Sequence, residues 1–100
     1  MARKITWTKR AQNDRYAIFH FLNNQNKSNI YSKQLQESFK KSLQLLSKYP
    51  FIGKRTNLEN TRIKVLKNYL IIYKITDQQI YVLSIWDSRQ NPENLKEVIK

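Results

Sequence analysis

One hundred residues, 40% of them hydrophobic and 12% aromatic, can build one core but not two. The chain is therefore read as a single domain over 1–100, folded despite a mean hydropathy of −0.72. Nineteen Lys and Arg against seven Asp and Glu give a net charge of +12, an excess that suits nucleic acid, an anionic membrane or an acidic protein, or serves solubility alone.

The absence of cysteine excludes disulfides and thiolate metal sites and suits a reducing cytoplasm, where the chain is expected to reside. The basic start, Met1 to Ile5, is followed by Lys9, Arg10, Asp14 and Arg15 rather than by an apolar signal core. No apolar run approaches the length of a membrane span, so no membrane partner is expected.

Ile5-Thr6-Trp7 reads as a short first strand, and Thr8 can cap a helix starting near Lys9. In that helix Ala11, Ile18 and Leu22 share a thin apolar stripe, with Asp14 and Phe21 beside it and Arg15 interrupting it. The polar run from Asn23 to Lys27 ends the helix, and Ser28 can cap the next. There Tyr31, Leu35, Phe39, Leu43 and Leu46 recur at helical spacing, with Lys33, Lys40, Lys41 and Lys48 off the line. Two such helices joined by about five polar residues make a helical hairpin, ending at Tyr49-Pro50. Gly53, the only glycine, is expected at positive φ, in a loop running to Thr61.

Arg62 to Leu66, Tyr69 to Thr76 and Gln79 to Trp86 are rich in Ile, Val, Leu and Tyr and read as strands. Lys67-Asn68 and Asp77-Gln78 are their two-residue turns. Asn91 as cap and Pro92 at the first helical position open a short last helix through Ile99. The fold class is α+β, in the order β-α-α-β-β-β, with the helical hairpin on one face of a small antiparallel-rich sheet.

Two-residue turns fix a register. Thr76 then opposes Gln79, Ile72 opposes Leu83, Leu70 opposes Ile85 and Tyr69 opposes Trp86. Across the other turn Val65 opposes Leu70 and Ile63 opposes Ile72. One face reads Ile63, Val65, Leu70, Ile72, Leu83 and Ile85, and is expected against the helices. The other mixes Arg62 and Lys64 with Tyr69, Tyr73, Trp86, Ile71, Val82 and Ser84, and Arg89 follows at the strand end. Cations suit phosphate or carboxylate, and rings supply stacking or contact area, so this is the candidate binding face for a target or a restraining partner. The alternative is that the last helix folds over these rings and makes a second small core.

A strand, two helices and a three-stranded meander resemble the RelE/ParE superfamily of toxins. The likeness rests on Pro50-x-x-Gly53 after the second helix, on Arg62 opening the next strand, and on Asn68-Tyr69-Leu70-Ile71-Ile72-Tyr73 in the third. The fourth strand then runs into Trp86-Asp87-Ser88-Arg89, and the likeness covers nearly the whole chain. It implies the toxin of a type II toxin–antitoxin system, a growth inhibitor neutralised by a cognate acidic antitoxin that lays a helix or extended segment on it. Two targets are implied: DNA gyrase, poisoned by ParE-like members, and mRNA in the ribosomal A site, cleaved by RelE-like members.

Metal-independent RNA cleavage needs a base, an acid and cations around one crowded phosphate. The resemblance implies that RelE-like nucleases use two Lys on the second strand, an Arg on the third, an Arg after the fourth and a Tyr in the last helix. Carried over, Lys64 matches one strand Lys, Arg62 can replace the other, and Arg89 stands near the Arg after the fourth strand. The third strand offers Leu70-Ile71-Ile72 instead of an Arg, and no Tyr follows Tyr81. Asp87 is available as a base, but a solvated carboxylate is a weak one. A lone helical histidine, His20, is read as a surface or core residue.

Arg62, Lys64, Asp87 and Arg89 are thus the catalytic candidates if the chain is a nuclease, and the incomplete set favours the gyrase-poison branch, without enzyme activity. A non-toxic nucleic-acid-binding module is the third reading. No Gly-rich phosphate loop, metal-ligand cluster or Ser/His/Asp set can be assembled, so no cofactor, metal or small-molecule substrate is expected.

Overall fold

The computed structural model describes residues 2–26 and 29–88. The order is β1 (Lys4–Trp7), α1 (Lys9–Asn26), α2 (Ile30–Lys48), a 3₁₀ turn (Pro50–Ile52), β2 (Lys54–Arg55), β3 (Thr61–Leu66), β4 (Tyr69–Ile75) and β5 (Gln79–Asp87). The strands make one sheet in the order β1-β5-β4-β3-β2, antiparallel except for β1 beside β5. This is the expected α+β arrangement. β2 is an addition, since Lys54 and Arg55 fall in the stretch read as loop and pair with Ile63 and Arg62. Two residues are too few to show a period. The helix opened by Asn91-Pro92, the Ser28 cap and Arg89 lie outside the described residues.

Thr8 caps α1 as its residue type suggested. Its Oγ1 accepts from the Ala11 amide at 3.2 Å and faces the Val82 and Leu83 carbonyls at 3.0 and 3.1 Å, so one hydroxyl ties the helix start to β5. On α2 the stripe is real: Leu35, Phe39, Leu43 and Leu46 are buried, each worth roughly 1.5–3 kcal/mol when fully removed from water. Tyr31, at the start of the stripe, stays exposed, with the Lys67 ammonium 6.0 Å from its ring centre. α1 runs on through the polar residues to Asn26, past the expected break at Asn23.

The β3–β4 register is the expected one, with Val65 opposite Leu70 and Ile63 opposite Ile72. The β4–β5 register is expected only near the turn. Tyr73 opposes Val82 but Ile72 opposes Ser84, leaving Leu83 as the extra residue of a β-bulge. Beyond it Leu70 faces Trp86 and Tyr69 faces Asp87, one residue off the reading from the turn. The chain satisfies the irregular backbone locally. Thr8 serves the Val82 and Leu83 carbonyls. Past Trp7 the described residues give β5 no strand partner on that side, and Asp14 of α1 takes over. Its carboxylate accepts from Ser84 Oγ at 2.7 Å and the Ile85 amide at 3.1 Å.

The assignment of faces is reversed. The core under the helices holds Tyr69, Ile71, Tyr73, Ile75, Ile80, Val82 and Ile85 beside Leu35, Phe39, Leu43 and Leu46. The Phe39 ring meets Tyr69 edge-on at 5.9 Å and Phe19 at 6.0 Å. Ile63, Val65, Leu70 and Ile72 alternate to the opposite side, where Val65 is exposed and Ile72 is buried. Both faces of this sheet are apolar, so hydrophobic pattern alone cannot choose between them. The bulge brings Ile85 onto the core side, opposite Ile71.

Gly53 is extended, at φ −73° and ψ 164°, and not at the positive φ expected of it. Asn60 and Lys67 are the described residues with positive φ, at 60° and 55°. The glycine is required by close approach instead. A Cβ there would lie 2.4 Å from the Tyr73 hydroxyl and 2.9 Å from the Ile63 carbonyl oxygen.

Candidate interaction surface

Four hydrogen bonds join Tyr73 and Arg62 to the turn after α2. Tyr73 reaches it from β4 and is fully buried. Its hydroxyl donates to the Pro50 carbonyl at 2.7 Å and accepts from the Gly53 amide at 3.0 Å. Burial pushes this hydroxyl above the ordinary phenol value of 10.0, against smaller opposing effects of the Gly53 amide and Arg62. It is therefore a neutral donor at neutral pH. Arg62 of β3 donates from one guanidinium nitrogen to the Phe51 and Gly53 carbonyls, both at 2.9 Å. Its guanidinium also lies 5.3 Å from the Phe51 ring centre. A turn that would otherwise fray is thus fixed from both strands.

The anticipated mixed face is divided by this arrangement. Tyr69 and Tyr73 are core residues, one packed on Phe39 and the other locking the turn. Their rings leave the candidate surface, because a tyrosine can bury its ring once its hydroxyl finds a partner. Arg62 and Lys64 stand opposite Tyr73 and Ile71, on the helix side of the sheet near its β2 margin, both partly buried. Trp86 stands opposite Leu70 on the other side. Asp87 sits at the end of β5 opposite Tyr69. Tyr73 and Tyr69 are four residues apart on β4, so Arg62 and Asp87 are separated by about 13 Å along the strands. Arg89 lies outside the described residues.

Two further concavities flank the helices. A cleft of about 560 Å³ is lined by Asp14, Phe21, Tyr69, Trp86 and Asp87. A smaller groove of about 280 Å³ runs between β1 and α2, with Trp7, Phe39 and Leu43 as its floor and Arg15 and Lys40 among its lining residues. The Arg15 guanidinium stacks 4.5 Å from the Trp7 ring centre. His20 is an exposed helix residue facing the Asn24 amide nitrogen at 3.1 Å, as its isolation suggested. Among the described residues no group of His, Asp and Glu is arranged to hold a metal ion, and no helix is long and apolar enough to cross a membrane.

Sequence reasoning missed an exposed apolar run on the turn after α2. Tyr49, Phe51 and Ile52 are 59%, 61% and 50% exposed, a run of large apolar side chains on the pinned turn, while Pro50 between them is buried. The only signal for it was the Pro50-x-x-Gly53 spacing, which marks a turn but not what the turn presents.

The chain matches the family model described as ParE toxin of type II toxin–antitoxin system over residues 5–92. Among solved structures it is similar to the chromosomal ParDE toxin–antitoxin system of P. aeruginosa, with a TM-score of 0.72 at 14% identity over 86% of this chain and 96% of that one. The RelBE2 toxin–antitoxin complex of Mycobacterium tuberculosis gives 0.64 at 17% over 87% and 99%. A mutant of the E. coli toxin RelE in the free state gives 0.66 at 18% over 99% and 95%. Comparison with curated proteins gives no match.

Proposed function

Because the chain belongs to the ParE toxin family of type II toxin–antitoxin systems, we propose that it arrests growth in the cytoplasm by poisoning DNA gyrase, and that a cognate acidic antitoxin restrains it. The observation that carries the gyrase reading is the separation of Asp87, the candidate base, from Arg62. Cleavage of RNA requires a base and charge-stabilising cations at one phosphate. Here the Arg62 guanidinium is engaged by two backbone carbonyls, and Asp87 lies well along the sheet from it. β4 carries Leu70, Ile71 and Ile72 where the resemblance to RelE-like nucleases implies an Arg.

Expression without antitoxin is expected to arrest growth, fragment chromosomal DNA and block division while mRNA stays intact. With purified gyrase the chain is expected to inhibit supercoiling and accumulate cleaved DNA. Discrete cuts within codons, found by primer extension on translated mRNA, would replace this reading with RelE-like endoribonuclease activity. Normal growth at substantial soluble expression would leave only a binding module.

The antitoxin is expected to present an acidic, apolar segment to a chain of charge +12. Its association rate should fall as salt rises, because attraction between unlike net charges is screened beyond about 8–10 Å at 0.10–0.15 M salt. Stopped-flow mixing measures this. A rate unchanged by salt would assign the positive charge to another purpose.

A further inference from the structure

We propose that the Pro50 turn is a pre-formed docking knob, by which the chain inserts Phe51 and Ile52 into an apolar, acid-rimmed groove on its folded protein target. The inference rests on the toxin reading, and adds to it the surface that meets the target.

Tyr49, Phe51 and Ile52 are each at least half exposed on a four-residue stretch. Exposed apolar residues grouped in this way mark contact surfaces, whereas scattered ones do not. The backbone beneath them is not free to collapse and hide them. The Pro50 carbonyl, Phe51 carbonyl, Gly53 carbonyl and Gly53 amide are all held by Tyr73 or Arg62. The conformational cost of presenting the knob has thus been met during folding, and association need not supply it. A buried tyrosine and a glycine with no room for a Cβ are both committed to this turn.

Charge and chemistry select the occupant. Phe51 borders two shallow clefts, one with Arg55 and Arg62 and the other with Arg3 and Lys74, while one carboxylate, Glu59 or Asp77, lines each. The surroundings are predominantly cationic, so the complementary rim is acidic. Nucleic acid fits less well. One nitrogen of the Arg62 guanidinium is spent on two carbonyls, and of the two side chains that would insert, only Phe51 has a ring for a base to stack on. An exposed aromatic anchor beside an arginine instead matches the residue types enriched at protein–protein contacts. The antitoxin, expected as a segment laid on this chain, is suited by a groove such as the one floored by Trp7, Phe39 and Leu43. A projecting knob requires a concave, folded partner.

The test compares the full-length chain with the double variant Phe51→Ser/Ile52→Ser and the apolar control Phe51→Leu/Ile52→Leu. Each is induced to graded levels in cells, with and without the co-expressed antitoxin. The purified proteins are measured for melting temperature and for binding a fluorescent 20-nucleotide single-stranded RNA.

The serine variant should melt like the wild type, bind the RNA equally and still be titrated by antitoxin. It should need about tenfold more protein or greater to arrest growth, as when hot-spot side chains are truncated, and the leucine control should keep most of the activity. Arrest by the serine variant at wild-type levels overturns the inference and leaves the toxin reading standing. Parallel loss of arrest and RNA binding makes the turn a nucleic-acid surface and also overturns it. So does arrest that antitoxin no longer relieves, which makes the knob the antitoxin contact. If the wild type itself fails to arrest growth, the toxin reading fails and the inference falls with it. If the serine variant melts well below the wild type, loss of arrest by the single variant Phe51→Ser at unchanged melting temperature supports the knob, and its retention overturns it.

Discussion

Replacing Phe39 with alanine is expected to cost about 3–5 kcal/mol of folding stability. The side chain is 2% exposed at the centre of α2. It is where the layers meet, with Phe19 of α1 on one side and the edge-on ring of Tyr69 from β4 on the other. Alanine would remove the apolar contact area and both aromatic contacts, and leave a void between three elements that cannot close without moving a helix. Urea unfolding followed by tryptophan fluorescence or circular dichroism measures the loss. A domain of this size holds a margin of roughly 5–15 kcal/mol, so the variant is also expected to accumulate poorly in cells. A cost below about 1 kcal/mol, far short of the usual range for buried aromatics, would mean that α2 does not lie on the Tyr69 side of the sheet.

The second large effect is at Gly53. Alanine there puts a methyl group 2.4 Å from the Tyr73 hydroxyl and 2.9 Å from both Tyr73 Cε1 and the Ile63 carbonyl. Overpacking of this kind typically costs about 1–3 kcal/mol and sometimes more. Tyr73→Phe alone should cost about 1–3 kcal/mol, because it strips the partner from the Pro50 carbonyl and the Gly53 amide. The two losses should not add. Without the hydroxyl the nearest clash at Gly53 disappears, so the double variant should be more stable than the sum of the single effects predicts, with a coupling of about 0.5 kcal/mol or more. Simple additivity would show that the glycine is needed for another reason. In either single variant the exposed Phe51 and Ile52 lose part of their support, with the Arg62 contacts left to hold the turn, so growth arrest should weaken more than the loss of folded protein accounts for.

The elements were legible because their signals are local. Thr8 as a cap, the Leu35-Phe39-Leu43 spacing and the two-residue turns depend on neighbours within one or two helical turns or one hairpin. The sides of the sheet were not, because the choice between them rests on distant partners. Tyr69 and Tyr73 look like surface rings until Phe39 and the Pro50 carbonyl are placed beside them. Ile63, Val65 and Leu70 look like core until the helices are seen on the other side. The bulge at Leu83 depends on Thr8 and Asp14, more than sixty residues away in the chain, to satisfy its backbone. Gly53 shows the same limit. A lone glycine suggests an unusual φ, and only the incoming tyrosine reveals that the constraint is space. Arg62 and Lys64 share one side of β3, as residues two apart on a strand do, but what Arg62 holds is a carbonyl pair.

The pairing of β1 with β5 has a consequence in time. The first strand has no partner in the sheet until the last described strand exists, and Thr8 and its acceptor Val82 are 74 positions apart. At about 5–20 residues per second of synthesis, that interval lasts roughly 4–15 seconds. During it Ile5 and Trp7 have no strand to pair with, and the helical hairpin has made its local contacts without the sheet beneath it. Arg62 and Tyr73 also emerge well after the turn they hold. A nascent chain therefore carries no finished sheet or pinned Pro50 turn for most of its synthesis, and both form late, when β4 and β5 close on the sequence made first.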